Sequence, residues 1–180
     1  MTHRSGPWLF LLFLSLILLS GCARGDQPSW GEIGKTMTVR VYFQGLVTSG
    51  HTYYYVFDTD GNILTGPQND PKTWDTYYVA RYENGAFYLK KPDGTQSFLT
   101  TGEVNGSTLS LSFDLDDLNN PKTIEIQVVS ADILGNVLDS LANYFSIDPA
   151  LQRFITKTDT TGDSGEAGAD IIKVEVEISF

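Results

Sequence analysis

The stretch Asp58-Thr59-Asp60-Gly61-Asn62 carries oxygen-bearing side chains at alternate positions around a glycine, an arrangement that can converge on a hard cation such as Ca²⁺. An EF-hand loop would place a third oxygen ligand before its glycine and a glutamate at its twelfth position, and here that position is Asn69. The same residues also read as a plain hairpin turn, since Asp-Gly suits such turns. If calcium is the occupant, the expected ligands are Asp58, Asp60, Asn62 and Asp170, with Asp159, Asp163 and Glu166 near at hand if the later loop folds over the first.

Aromatic side chains are the second chemical resource. Tyr53, Tyr54, Tyr55, Phe57, Trp74, Tyr77, Tyr78, Tyr82, Phe87 and Tyr88 fall in one stretch. Neighbours on a strand point to opposite faces, so Tyr54 is expected opposite Tyr53 and Tyr55, and Tyr77 opposite Tyr78. Tyr54, Trp74, Tyr77 and Tyr82 are the residues expected at a ligand or partner surface, where tyrosine and tryptophan stack on sugar rings or grip a protein. Cross-strand aromatic pairing within the sheet is the competing explanation.

Nucleophilic catalysis finds little support. Beyond the N-terminal segment there is one histidine, His51, beside Gly50 in what reads as a solvated turn, and no cysteine after Cys22. Cys-His chemistry and zinc sites with several His or Cys ligands are thereby disfavoured. No serine stands in a Gly-x-Ser-x-Gly elbow. Pairs of carboxylates are always to hand in so acidic a chain, so their presence alone does not mark a glycosidase.

The elements that must position these groups are strands. Met37, Val39, Val41 and Phe43 alternate with polar neighbours, as do Leu109 to Leu115 and Ile124 to Val128. At the C-terminus Ile172, Val174, Val176, Ile178 and Phe180 share one face, and Lys173, Glu175, Glu177 and Ser179 the other. Asp60-Gly61, Asn84-Gly85, Asp93-Gly94, Asn105-Gly106 and Gly135-Asn136 punctuate the runs with hairpin chemistry. The expected fold is all-β, an antiparallel β-sandwich of jelly-roll type with about eight to ten strands, a barrel being the alternative. Asp148-Pro149 followed by helix formers predicts a short helix near 148–155, and 157–170 reads as a long mobile loop.

The N-terminus predicts the compartment. A basic start and an apolar run from Trp8 to Leu19, about a dozen residues and too short to span a bilayer, end in Leu19-Ser20-Gly21-Cys22. This run resembles the lipobox of bacterial lipoproteins, which implies a signal helix in residues 1–21, cleavage before Cys22, and diacylation of its sulfur with palmitate-type chains. Two acyl chains hold stably where one binds marginally, so the membrane is an expected partner through diacylglyceryl-Cys22. Ala23, in place of the aspartate that retains lipoproteins at an inner membrane, leaves outer-membrane delivery open in a two-membrane cell. Residues 22–35 would then be the acylated residue and its tether, and 36–180 one domain.

Formal net charge is −10 for the whole chain. Removal of residues 1–21 takes away Arg4 and no acid, leaving 11 Lys and Arg against 22 Asp and Glu. Such a domain repels nucleic acid and anionic head groups at long range, so no nucleic-acid partner is expected.

The strand Tyr53 to Asp58 with its Asp-Thr-Asp-Gly turn, together with Gly168-Ala169-Asp170 entering the final alternating strand, resembles the jelly-roll modules of the DOMON and family-9 carbohydrate-binding group. The resemblance implies a β-sandwich, with sugar binding and acid-held calcium as properties of some members. The leading expectation is a lipid-anchored, non-enzymatic, extracytoplasmic binding or interaction module, partnered by an envelope protein or polysaccharide. A carbohydrate-binding module with a structural calcium, a secreted carboxylate-dependent hydrolase, and a purely structural envelope protein are the alternatives.

Overall fold

The computed structural model describes residues 34–180, and Gly34–Phe180 is a compact unit by itself. The expected signal segment 1–21, Cys22 and the expected tether as far as residue 33 lie outside the described residues. Among those residues no helix is long and apolar enough to cross a membrane.

Twelve strands follow one another: β1 (Thr36–Phe43), β2 (His51–Asp58), β3 (Tyr78–Glu83), β4 (Ala86–Lys90), β5 (Gln96–Leu99), β6 (Gly102–Asn105), β7 (Thr108–Asp114), β8 (Ile124–Asp132), β9 (Val137–Ser140), β10 (Phe145–Ile147), β11 (Phe154–Thr158) and β12 (Ile171–Ser179). They form two antiparallel sheets, one of five strands in the order β11-β12-β1-β7-β6 and one of seven in the order β10-β8-β2-β3-β4-β5, with β9 also paired to β8. This is the expected all-β sandwich, with more strands than the eight to ten expected because β9, β10 and β11 are short pieces on sheet edges.

Period-two alternation directs the main core. Met37, Val39, Val41 and Phe43 of β1 meet Tyr53, Tyr55 and Phe57 of β2 and Ile124, Ile126 and Val128 of β8, all buried between the sheets. At Asn84-Gly85 both residues take positive φ, 52° and 83°, the requirement of a tight type I′ turn, and β3 pairs directly with β4 there. Asp60-Gly61 behaves differently. It opens a long connection that carries a 3-10 helix (Pro71–Thr76) before β3 begins, although β2 and β3 are antiparallel neighbours.

That connection covers the outer face of the seven-stranded sheet and builds a second apolar cluster from Val56, Trp74, Val79 and Val129, with Tyr54 and Tyr77 packed against it. It explains why β2 and β8 are buried on both faces nearly throughout. Asp70 starts the helix by accepting from Lys72 N at 3.0 Å, Pro71 follows as its first residue, and Trp74 Nε1 donates to the Gln68 carbonyl at 2.6 Å.

Three local expectations are corrected. Residues 148–152 make a single hydrogen-bonded turn capped by Asp148, and no helix forms near 148–155 because β11 takes the chain into a sheet at Phe154. In β12 the register shifts opposite Tyr42 and Phe43, so Ile171 is buried and Ile172 is displaced from the inward set. Phe180 stands 47% exposed, covered by the Arg153 guanidinium at 3.3 Å from its ring centre rather than by the core. The segment expected as a loose loop over 157–170 begins as the last two residues of β11 and is held by hydrogen bonds from Glu166 to Asp170.

Candidate functional site

The conspicuous aromatics divide between core and surface. Tyr53 and Tyr55 face the main core and Tyr54 the opposite side, as alternation requires; Tyr77 packs on the outer cluster and Tyr78 on the inner. Two residues expected at a ligand surface are not displayed: Tyr82 points into the main core at 9% exposure, and Trp74 is 3% exposed beneath the connection it anchors. Tyr82 is placed by register, opposite Tyr53 on the inward face, and Trp74 by the 3-10 helix that packs onto the outer face.

Tyr54 and Trp74 nevertheless help to line a depression of about 170 Å³ on the outer face of the seven-stranded sheet, together with Arg81, Tyr88, Lys90 and Gln96. Tyr54 and Trp74 meet edge to face at 5.1 Å, and the Arg81 guanidinium lies over the Tyr88 ring at 5.4 Å. Lys90 Nζ pairs with Asp75 at 3.0 Å. Arg81 Nε is buried and pairs with Glu83 Oε2 at 3.2 Å, and Arg81 Nη2 donates to Gln96 Oε1 at 3.5 Å. A wider groove of about 410 Å³ runs along β4, β5 and β6, with Phe87, Phe98, Leu99 and Val104 in its lining.

The carboxylates expected to share one cation fall into two clusters at opposite ends of β2. Asp58 and Asp60 stand with Glu125, one oxygen of each lying within 4.8 Å of the others. Asp58 and Glu125 are direct cross-strand partners on the outer face of the seven-stranded sheet. Glu125 is fully buried and neither of its oxygens has a hydrogen-bond partner. Burial, reinforced by the neighbouring acids, pushes the carboxyls of Asp58 and Glu125 above the usual range, and burial with the charge of Asp58 and Asp60 pushes the Tyr77 phenol up as well. Asn62 is engaged locally, its side-chain oxygen accepting from Leu64 N at 3.3 Å and its backbone N–H donating to Asp60 at 2.6 Å.

Asp170 is elsewhere. It lies with Asp139 and Asp163, again within 4.8 Å, at the His51 end of β2, about 20 Å from Asp58 by the length of the strand. The segment before β12 is pinned there from several elements. His51 Nε2 is 2.8 Å from Glu166, Gly45 N donates to Ala167 O at 2.6 Å, and Tyr53 OH donates to Gly168 O at 2.9 Å. Ser130 Oγ donates to Ala169 O at 2.7 Å, Gln44 N to Asp170 O at 2.9 Å, and Ile171 N to Asp139 Oδ2 at 2.6 Å. His51 is therefore a buried member of this network, not a solvated turn residue.

Sequence reasoning missed Glu125 and Asp139. Glu125 occupies the polar half of an alternating strand, and only the covering connection makes that half dry. Asp139 is marked by no motif, and its role depends on β9 lying beside β8 opposite Ser130. Compared with protein-family models and with curated proteins, the chain matches none. Fold and sites together define an all-β sandwich with an aromatic, donor-bearing depression on one sheet face and carboxylate clusters toward opposite ends of that sheet.

Proposed function

We propose that the chain is a lipid-anchored extracytoplasmic binding module, held at the membrane by acylated Cys22, whose ligand is a sugar ring of an envelope polysaccharide bearing an acidic group. The observation that carries this reading is the depression lined by Tyr54, Tyr88, Arg81, Lys90 and Gln96. Aromatic rings offer apolar faces to a pyranose, while a guanidinium, an ammonium and an amide suit hydroxyls and a carboxylate. The residues lie mostly on adjacent strands, so the surface is held by a sheet and not by flexible loops. The carboxylate clusters favour support over attack on a polymer, since Glu125 and Asp170 are wholly buried.

Titration calorimetry with uronic-acid oligosaccharides, and with neutral gluco-oligosaccharides as comparison, tests the ligand. Binding of the acidic series is expected to weaken about tenfold or more in Arg81→Ala and in Tyr88→Ala, the loss of one charged hydrogen bond or one stacking contact. Equal affinity of both variants and the parent would overturn the assignment. Cys22→Ser is expected to abolish palmitate labelling and to move the protein out of the membrane fraction.

A further inference from the structure

Three carboxylates converge where the loop between β11 and β12 folds onto β9, and a fourth, Asp159, stands at the start of that loop, its N–H donating to Ile172 O at 3.1 Å. Asp139 comes from the seven-stranded sheet, Asp170 from the residue before β12 of the five-stranded sheet, and Asp159 and Asp163 from the intervening loop. One oxygen each from Asp139, Asp163 and Asp170 lies within 4.8 Å of the other two, close enough for all three to touch one ion at the 2.3–2.6 Å of a calcium–oxygen bond.

Two carboxylate oxygens of this cluster are buried without a donor. Asp139 accepts from Ser140 N at 2.7 Å and Ile171 N at 2.6 Å. Asp170 Oδ2 accepts from Gly162 N at 2.6 Å, yet its Oδ1 is buried without a partner on a residue of 0% exposure. Asp159 Oδ1 accepts from Thr160 N at 2.9 Å, while its Oδ2 is buried and unpartnered. Among the described residues none of the four acids forms a salt bridge. Buried carboxylate oxygens without donors are costly, and several side by side call for a cation.

We propose that Asp139, Asp159, Asp163 and Asp170 form a Ca²⁺ site that ties the β11–β12 loop and the five-stranded sheet to β9 of the seven-stranded sheet. The ligand set is all oxygen and highly charged, as a hard cation such as Ca²⁺ requires. The site stands independently of the sugar reading, because it uses none of the residues of the depression. It also differs from the Asp58, Asp60 and Glu125 cluster at the far end of β2. An ion here would fix a loop whose backbone is already held by Gln44, Gly45, Tyr53 and Ser130, so the metal completes a seam between the two sheets.

The test uses the full-length chain in nonionic detergent, stripped with EGTA and titrated with Ca²⁺ by calorimetry and thermal unfolding. Extracellular modules bind calcium with dissociation constants of roughly 10⁻⁴ to 10⁻³ M or tighter, so about 10 mM Ca²⁺ should raise Tm by roughly 5 °C or more. Asp163 is exposed and holds no hydrogen bond in the fold, so Asp163→Asn should remain folded and lose affinity about tenfold or more. Asp170→Asn, which keeps an oxygen for Gly162 N, should abolish the shift, and Glu125→Gln should leave it in place. No heat and no Tm change up to about 10 mM Ca²⁺ would overturn the proposal. So would a shift that survives both Asp163→Asn and Asp170→Asn but disappears in Glu125→Gln, which would move the ion to the other cluster.

Discussion

At the scale of single residues, Glu125 states the physical problem most sharply. A carboxylate with no exposed surface and no donor gains nothing from being ionised, which is why burial and the charge of Asp58 raise its pKa. A carboxyl whose folded pKa stands above its unfolded value contributes stability that is complete below the unfolded value and is lost as pH rises through the folded one. Glu125→Gln keeps the shape and removes that loss. In EGTA at pH 7.5 the variant is expected to melt about 2–5 °C above the parent, with the difference vanishing near pH 4. Differential scanning calorimetry at the two pH values checks it, and a variant less stable at pH 7.5 would mean that the charged carboxylate has a partner in the fold.

Elements decide which of these groups meet. The backbone around Gly168 passes so close to the β1–β2 connection that a Cβ built there would lie 2.5 Å from the Leu46 carbonyl oxygen, a main-chain atom that cannot swing away. Gly168→Ala is therefore expected to displace the segment bearing Glu166 and Asp170, lowering Tm by roughly 3–10 °C in proportion to about 1–3 kcal/mol of overpacking. The same variant should weaken calcium binding; an unchanged Tm and affinity would show that the contact is not held in solution. Much at this scale was legible beforehand. Alternation placed Met37 to Phe43 and Leu109 to Leu115 inward, and Asn84-Gly85 marked a tight hairpin. Asp60-Gly61 carried the same signal and does not close β2 onto β3, because a dipeptide reports its own φ preference and not how soon the next strand returns. The bulge that exchanges Ile171 for Ile172 was hidden for a similar reason: two adjacent isoleucines fit either register, and pairing with Tyr42 and Phe43 chooses between them.

For the whole molecule, what sequence could not show was which carboxylates become neighbours. Asp58 and Asp170 read as partners on the expectation that the later loop folds over the Asp-Gly turn, but they are separated by the length of β2, and each finds acids from elements distant in sequence. This sorting shapes the stability profile. Hydrogen bonds hold Asp93, Asp132 and Glu175 below the ordinary range, so their stabilisation is present at neutral pH and lost on acidification. Burial pushes Asp139 up to about 6 and raises Asp58, Glu125 and Asp159 above the ordinary carboxylate range, so the stability they contribute when protonated is lost as pH rises. Asp159, Asp163 and Asp170 face Asp139 across the loop, and no base pairs with any of them among the described residues. In EGTA the Tm profile is accordingly expected to peak near pH 5 and to fall toward pH 8, with added Ca²⁺ lifting the neutral limb because an ion replaces the protons. A chelated protein most stable at pH 8 would contradict this distribution of charge.

The proposed binding role rests on one sheet face, and the most direct measurement is a two-dimensional amide NMR titration of the protein with uronic-acid oligosaccharides. Shifts concentrated at Arg81, Tyr88, Lys90 and Gln96, saturating with the calorimetric affinity, are the expected result. An unperturbed spectrum at millimolar ligand, or shifts gathered instead along the Phe98 and Val104 groove, would contradict the account.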